Sequence, residues 1–113
     1  METLFDKILA GEIPATVVHQ DDDVFAFKDI NPQAPVHVLV IPRKRARGFE
    51  SLKNATAADA GAFIAGVARV AEKLGLEGNG YRVVFNVGKD GQQTVEYLHA
   101  HILGGRKLSW PPG

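Results

Sequence analysis

The chain has 113 residues and a formal net charge of zero at neutral pH, with 45% hydrophobic and 23% charged residues. This length suits one domain with its own core, and the balanced charge excludes the broad basic field of a nonspecific nucleic-acid binder. Because there is no cysteine, a disulfide framework and a thiolate metal or redox site are excluded. No apolar run reaches the roughly 20 residues of a membrane span, and the N-terminus lacks a signal-peptide pattern. We therefore expect a cytoplasmic protein without a membrane partner.

The first 42 residues predict a short helix followed by three strands. Thr3 is a suitable cap for a helix through Leu9, whose apolar stripe is Leu4, Phe5, Ile8 and Leu9, and Gly11 is placed to end it. Strands are predicted over 16–20 and 24–28, joined by an acidic turn into a hairpin. A loop with two prolines leads into a strongly apolar strand over 36–42. Period-two alternation puts His37, Leu39 and Ile41 on one face of that strand and three valines on the other.

The middle of the chain predicts a basic loop and a long helix. The cluster 43–47 is expected to be a solvated loop. Thr56, with Asp59 at the third helical position, caps a helix of about five turns that ends near Gly75. Its apolar face contains Ala60, Phe63, Ile64, Val67, Val70, Ala71 and Leu74. The small residues Ala62, Ala65, Gly66 and Ala68 lie on its other sides, which favours close approach of a second helix in a dimer.

The C-terminal third predicts two more strands, over 81–87 and 97–105, with a glycine-punctuated turn over 88–91 between them. Strands paired in hairpins and interrupted by helices indicate an α+β fold, with a mainly antiparallel sheet of about five strands, one short helix and one long helix. If the stretch 97–105 is a strand, then Tyr97, His99 and His101 point to the same face.

Three histidines on predicted strands, His37, His99 and His101, form a candidate site. Together with Asn86 and a turn able to aim backbone N–H groups at an anion, they fit phosphate chemistry. Three histidines are equally the ligand pattern of catalytic zinc sites. The sequence shows no carboxylate near them on these strands other than Glu96, which would point away from His99, and this tells against zinc. Spacing alone leaves both interpretations open.

The segment His99-Ala100-His101-Ile102-Leu103-Gly104-Gly105-Arg106 resembles the motif of the histidine triad (HIT) proteins, in the branch of small nucleotide-binding phosphoramidases. Further similarity extends over nearly the whole chain, including 25–30, 32–37, 84–86 and the terminal Trp110-Pro111-Pro112-Gly113. The resemblance implies a hydrolase that cleaves P–N bonds of purine nucleoside 5′-phosphoramidates, needs no metal and forms a homodimer with joined sheets.

The resemblance also implies individual roles. His99 would be the nucleophile that forms a nucleotidyl-histidine intermediate, while His101 and His37 would contact the phosphate or assist proton transfer. Asp29 would accept the ribose hydroxyls. The purine slot would be formed by four apolar residues, Phe5, Ile8, Phe27 and Ile30. The phosphate would be held by four polar residues, Asn86, Gln92, Gln93 and Thr94.

Tyr97 departs from the family pattern, because it stands at the first triad position, which is normally histidine. Gln92 likewise stands where glycine is common. If this position acts mainly through its backbone carbonyl, tyrosine serves as well as histidine. The alternative is a catalytically weak purine-nucleotide-binding or sensing protein.

Overall fold

A five-stranded antiparallel sheet forms the centre of the computed structural model, which describes residues 1–113. The strands are β1 (Val17–Gln20), β2 (Val24–Lys28), β3 (Val36–Pro42), β4 (Tyr81–Val84) and β5 (Ala100–Gly104). Their spatial order is β1-β2-β3-β5-β4. The helices are α1 (Leu4–Leu9) and α2 (Ala57–Lys73), with a 3₁₀ helix over Phe49–Asn54. The predicted α+β class is confirmed.

Both predicted helix caps are present. The Thr3 hydroxyl accepts from the backbone N–H of Asp6, and the Asp6 carboxylate accepts from the backbone N–H of Thr3 at 2.6 Å, which completes a capping box. At α2, the Thr56 hydroxyl accepts from the N–H of Asp59 at 3.0 Å. Gly11 and Gly75 follow the two helices with φ of +80° and +75°, a conformation that glycine adopts without steric cost.

One face of the sheet packs against α2. Period-two alternation directs Val24 and Ala26 of β2 and Val38 and Val40 of β3 to this side, where they meet Phe63, Val67 and Val70 of the helix in one buried cluster. Gly66 allows the helix to approach closely, since an added Cβ there would lie 2.4 Å from a methyl carbon of Val24. Gly66 therefore belongs to the sheet contact, not to the outer helix face where the sequence pattern put it.

The opposite face packs against the short helix α1. Phe5 and Ile8 of α1 join Phe25 and Phe27 of β2, together with Leu39, Ile41 and Tyr97, in a second buried cluster. Because α1 has only six residues, it covers part of this face. His37, His99 and His101 are on the same side of the sheet.

Several predicted boundaries and burials were wrong. The strand predicted over 81–87 ends at Val84, and the one predicted over 97–105 begins at Ala100. The register pairs Val84 with His101, and the N–H of Leu98 bonds instead to the carbonyl of Ala46 at 2.7 Å, so pairing with β4 stops there. Ile64 is 46% exposed and Leu4 is 47% exposed, so neither completes the predicted buried stripe of its helix. No helix has the length and apolar character needed to cross a bilayer.

Candidate active site

The candidate site lies where β3 and β5 run side by side. The antiparallel register opposes Leu39 to His101 and His37 to Leu103, so His37 and His101 are diagonal neighbours on one face. Their ring centroids are 5.2 Å apart, and those of His99 and His101 are 5.1 Å apart. The structure thus brings together the three histidines that the sequence singled out.

Hydrogen bonds define the tautomer of each ring. The backbone N–H of Gln33 donates to Nδ1 of His37 at 3.0 Å, and since a backbone N–H can only donate, neutral His37 carries its proton on Nε2. That Nε2 lies 2.9 Å from Nδ1 of His101 and donates to it. Neutral His101 therefore carries its proton on Nε2; the Asn86 amide, whose Nδ2 lies 3.5 Å away, can accept that proton only if it is rotated to present its oxygen.

His99 has the complementary arrangement. Its Nδ1 lies 2.6 Å from the backbone carbonyl oxygen of Tyr97, and because a carbonyl only accepts, Nδ1 carries the proton. The lone pair of His99 is consequently on Nε2. The site thus contains one imidazole with a free lone pair beside another with an N–H donor, the combination that nucleophilic attack on a hydrogen-bonded phosphate needs.

Burial keeps these imidazoles neutral at physiological pH. His37 and His99 are each only 7% exposed. Desolvation lowers the pKa of His99, partly offset by its bond to the Tyr97 carbonyl, and it lowers the pKa of His37, partly offset by the Asp29 carboxylate. For His101, burial and then the two neighbouring histidines lower the pKa to about 4. A neutral imidazole is the nucleophilic form.

Asp29, which the family resemblance assigned to the ribose, lies close to the histidines. Its Oδ2 is 3.4 Å from Nε2 of His37, because the N–H of Asp29 bonds to the carbonyl of His37 and extends the pairing of β2 with β3. No carboxylate other than Glu96 is near the histidines on their own strands, but Asp29 approaches them from another segment, so the observation that told against zinc no longer holds. One ligand atom each from Asp29, His37 and His101 lie within 4.8 Å of one another, a set of two imidazoles and a carboxylate that zinc accepts. His99 is not part of that set.

The glycine-punctuated turn is formed, but several of its N–H groups are engaged. Gly88 donates to Oε1 of Gln93 at 3.2 Å, Gln92 to the carbonyl of Lys89, and Gln93 to that of Gly88. The predicted use of these groups as an anion cradle would require them to leave the turn. Gln92 has φ of +59°, a left-handed conformation that favours glycine. Thr94 is exposed nearby.

Three of the four residues predicted for the purine slot lie together in the structure. Phe5, Ile8 and Phe27 lie together in the cluster under α1, and the edge of the Phe5 ring approaches His99 with a centroid distance of 4.9 Å. Ile30, by contrast, is 99% exposed on the loop after β2 and is not part of that cluster.

Tyr97 is buried, and its hydroxyl does not reach the histidines. The hydroxyl donates to the carbonyl of Pro42 at 2.7 Å, and the side chain is 1% exposed. Tyr97 therefore contacts His99 through its backbone carbonyl.

Sequence reasoning missed two contributions to the site, those of Gln33 and Arg45. Gln33 acts through a backbone N–H, for which the residue type carries no signal. Arg45, in the basic loop, lies over the Tyr97 ring with its guanidinium carbon 5.7 Å from the ring centroid. In the sequence, Arg45 was recognisable only as a member of the basic cluster 43–47.

Comparison with known proteins decides the family. A family model described as "HIT domain" matches residues 10–108, and this span includes all three histidines. The chain belongs to the HIT domain family. The resemblance inferred from the sequence motif is therefore confirmed.

Individual relatives cover almost the whole of this HIT domain. The "14 kDa zinc-binding protein" of Zea mays is 49% identical over 98% of the chain and 88% of the relative. "Adenylylsulfatase HINT1" of Arabidopsis thaliana is 46% identical over 98% of the chain and 76% of the relative. The crystal structure of a HIT family hydrolase from Legionella pneumophila superposes with a TM-score of 0.91 at 44% identity, covering 99% of this chain and 100% of that one. The fold is therefore the HIT fold.

Proposed function

We propose that this HIT domain is a purine nucleoside phosphoramidase, which hydrolyses the P–N bond of purine nucleoside 5′-phosphoramidates through a nucleotidyl-histidine intermediate. The observation that carries the proposal is the 2.6 Å bond from Nδ1 of His99 to the Tyr97 carbonyl. This bond leaves the lone pair on Nε2, next to the N–H of His101. The similarity to a HIT family hydrolase and to an adenylylsulfatase supports hydrolysis at an adenylyl phosphorus.

In the first proposed step, Nε2 of His99 attacks the α-phosphorus, so that an N–P bond forms as the bond to the leaving amine breaks. Nε2–H of His101 donates a hydrogen bond to a phosphate oxygen and remains on the ring, while the leaving nitrogen takes up a proton from solvent. The phosphorylated His99 ring retains its proton on Nδ1 and becomes cationic, and the Tyr97 carbonyl stabilises that cation. In the second step, water attacks the phosphorus and loses a proton to solvent, the N–P bond to His99 breaks, and the nucleoside monophosphate and neutral His99 are released.

Other side chains are proposed to hold the substrate. Asp29 would accept hydrogen bonds from the ribose hydroxyls. Its Oδ1 already accepts one hydrogen bond, from the N–H of Asn31 at 2.8 Å. The amide of Asn86, close to His101, would contact the phosphate. Three further residues would complete the surroundings of the phosphate: Gln92, Gln93 and Thr94. The base would lie against Phe5, Ile8 and Phe27, with Ile30 becoming covered only when a ligand is bound.

We also propose a homodimer. The outer strand β4 has a free edge, with Tyr81 and Val83 more than one-third exposed, and unpaired strand edges favour pairing with another chain. Ile64 on α2 is 46% exposed and Trp110 near the C-terminus is 79% exposed. A dimer with joined sheets and paired α2 helices would cover these groups. A monomeric mass in solution at micromolar concentration would contradict it.

The Tyr97 position favours a second candidate function, a purine-nucleotide sensor with little turnover. The two candidates are separated by assaying adenosine 5′-phosphoramidate and adenylyl sulfate with wild-type protein and His99→Ala. The phosphoramidase proposal predicts that His99→Ala loses turnover by about 10³-fold or more, while still binding AMP. Equal, slow turnover by both proteins, with AMP binding intact, would support the sensor instead.

The zinc-binding name of one relative supports a competing occupant of the same site, coordinated by Asp29, His37 and His101. Zinc there would occupy the lone pair of His101 Nδ1 and disrupt its bond with His37. We therefore expect chelators to leave phosphoramidase activity unchanged or raise it. Activity that disappears on chelation and returns with zinc would contradict the metal-free mechanism.

A further inference from the structure

The loop after β3 holds the peptide before β5 at three points. The carbonyl of Pro42 accepts from the Tyr97 hydroxyl at 2.7 Å, and the carbonyl of Ala46 accepts from the N–H of Leu98 at 2.7 Å. Between them, the guanidinium of Arg45 covers the Tyr97 ring, 5.7 Å from its centroid. These contacts hold the Tyr97 side chain and the N–H of the peptide group that joins Tyr97 to Leu98, and the carbonyl of that same peptide group accepts the Nδ1 proton of His99.

Arg45 also holds the helix that lines the base side of the site. Its Nε donates to Oδ1 of Asp6 at 2.9 Å, and its Nη2 donates to the carbonyl of Met1 at 2.9 Å. Asp6 is the residue that closes the capping box of α1 with Thr3. One guanidinium therefore fixes the start of α1 and the face of Tyr97 at the same time.

Helix α1 contacts the nucleophile from the other side. The ring of Phe5, next to Asp6, lies edge-on to His99 at 4.9 Å, to Tyr97 at 6.4 Å and to Phe27 at 5.4 Å. A shift of α1 would therefore change the contact of Phe5 with the imidazole, and it would pull on Arg45 through Asp6. The proposed base slot is thus linked to the proposed nucleophile by a closed set of contacts through Phe5, Asp6, Arg45 and Tyr97.

We propose that Arg45 is a positioning residue, which couples occupation of the slot under α1 to the orientation of His99 by pairing with Asp6 and covering Tyr97. This inference rests on the proposed function for the identity of slot and nucleophile. Purine binding against α1 would hold Asp6 and Arg45 in place, and Arg45 would hold the Tyr97 carbonyl towards Nδ1 of His99. The purine would then increase the rate of the chemical step as well as the affinity.

The neighbouring cations offer a matched control. Lys44 belongs to the same basic loop, but its ammonium group pairs with Asp59 of α2 at 2.6 Å and its side chain is 80% exposed. It contacts neither α1 nor Tyr97. Lys44→Ala therefore removes the same charge from the same loop without touching the proposed link.

The kinetic test compares adenosine 5′-phosphoramidate with ribose 5-phosphoramidate, which lacks the base. In wild type and Lys44→Ala, we expect the base to raise kcat as well as lower KM. In Arg45→Ala, kcat for the adenosine substrate should fall by about tenfold, the scale of a small misplacement of a reacting group, while kcat for the base-free substrate should fall less, because that substrate makes no contact with α1. Arg45→Lys should recover only part of the loss, because an ammonium pairs with Asp6 but does not cover the ring as a planar guanidinium does. Equal losses on both substrates would overturn the coupling.

A second measurement does not depend on turnover. In ligand-free protein, hydrogen exchange of the His99 Nδ1 proton, followed by NMR, should be about tenfold faster in Arg45→Ala and in Asp6→Asn than in Lys44→Ala. Equal exchange rates in all three variants would overturn the proposal even if the enzyme is active. Faster exchange with no measurable turnover in wild type would retain the positioning role and reject the phosphoramidase proposal.

Discussion

The two faces of the sheet are formed by the same strands but are organised differently. On the α2 face, a 17-residue helix covers a cluster made only of apolar side chains. On the other face, a six-residue helix covers the apolar part and the polar residues His37, His99 and His101 lie together. Because successive side chains of β3 and β5 point to opposite faces of the sheet, the apolar cluster and the histidines lie on different sides. Mutations can therefore test stability and chemistry separately, one face at a time.

Replacing one buried phenylalanine with alanine on each face should give the largest effects and should separate stability from ligand binding. Phe63 on the α2 face and Phe27 on the α1 face are 3% and 4% exposed, so replacing either with alanine should lower the free energy of unfolding by about 3–5 kcal/mol. Only Phe27→Ala should also weaken AMP binding, because only Phe27 lines the proposed slot. Urea denaturation and calorimetric titration at low temperature measure the two quantities. An equal loss of AMP affinity in Phe63→Ala would contradict this division of the faces.

The elements that the sequence predicted well are those whose pattern is local. β2 and β3 were predicted to the residue, because both follow a strict alternation of core side chains between two punctuated turns. The starts of α1 and α2 followed from Thr3 and Thr56, whose side chains cap within three residues. The ends of β4 and β5 were wrong because they depend on partners far along the chain, such as the carbonyl of Ala46.

The sequence predicted the histidines of the candidate site but not the contacts between these histidines and the residues around them. The motif at His99 and His101 identified the family, and alternation placed both rings on one face. The approach of Asp29 to His37 depends on the pairing of β2 with β3, which a one-dimensional pattern does not specify. The tautomer of His37 depends on a backbone N–H of Gln33, and the support of Tyr97 depends on Arg45, which the sequence presented only as part of a basic loop.

Acidification should destabilise the histidine face. His101 has a pKa of about 4 in the folded chain, against about 6.5 when unfolded, so between these values the unfolded state binds more protons and stability falls as pH falls. We expect the free energy of unfolding to drop by about 1–2 kcal/mol between pH 7 and pH 5, with His37 and His99 adding to the loss in the same direction. In His101→Asn this drop should shrink. A drop of unchanged size in that variant would assign the effect to other groups.

Removing the Tyr97 hydroxyl should give the smallest effect on activity and define how this residue acts. Tyr97→Phe keeps the backbone carbonyl that His99 uses but leaves the buried carbonyl of Pro42 without its donor, at a cost of about 1–3 kcal/mol. We expect a modest loss of stability, with kcat for adenosine 5′-phosphoramidate within about threefold of wild type, since the ring that Arg45 covers remains. A loss of kcat comparable to that of His99→Ala would show that the hydroxyl itself takes part in the reaction.

The stereochemical course at phosphorus tests the central proposal, that His99 forms a covalent intermediate, most directly. Each in-line displacement inverts the configuration of a chiral phosphorus, so attack by His99 followed by attack by water predicts net retention. The experiment hydrolyses an adenosine 5′-phosphoramidate with a chiral, isotopically labelled phosphorus and determines the configuration of the AMP released. Retention is the result that we predict. Inversion would mean that water attacks the substrate directly, and it would contradict the role of His99 as nucleophile.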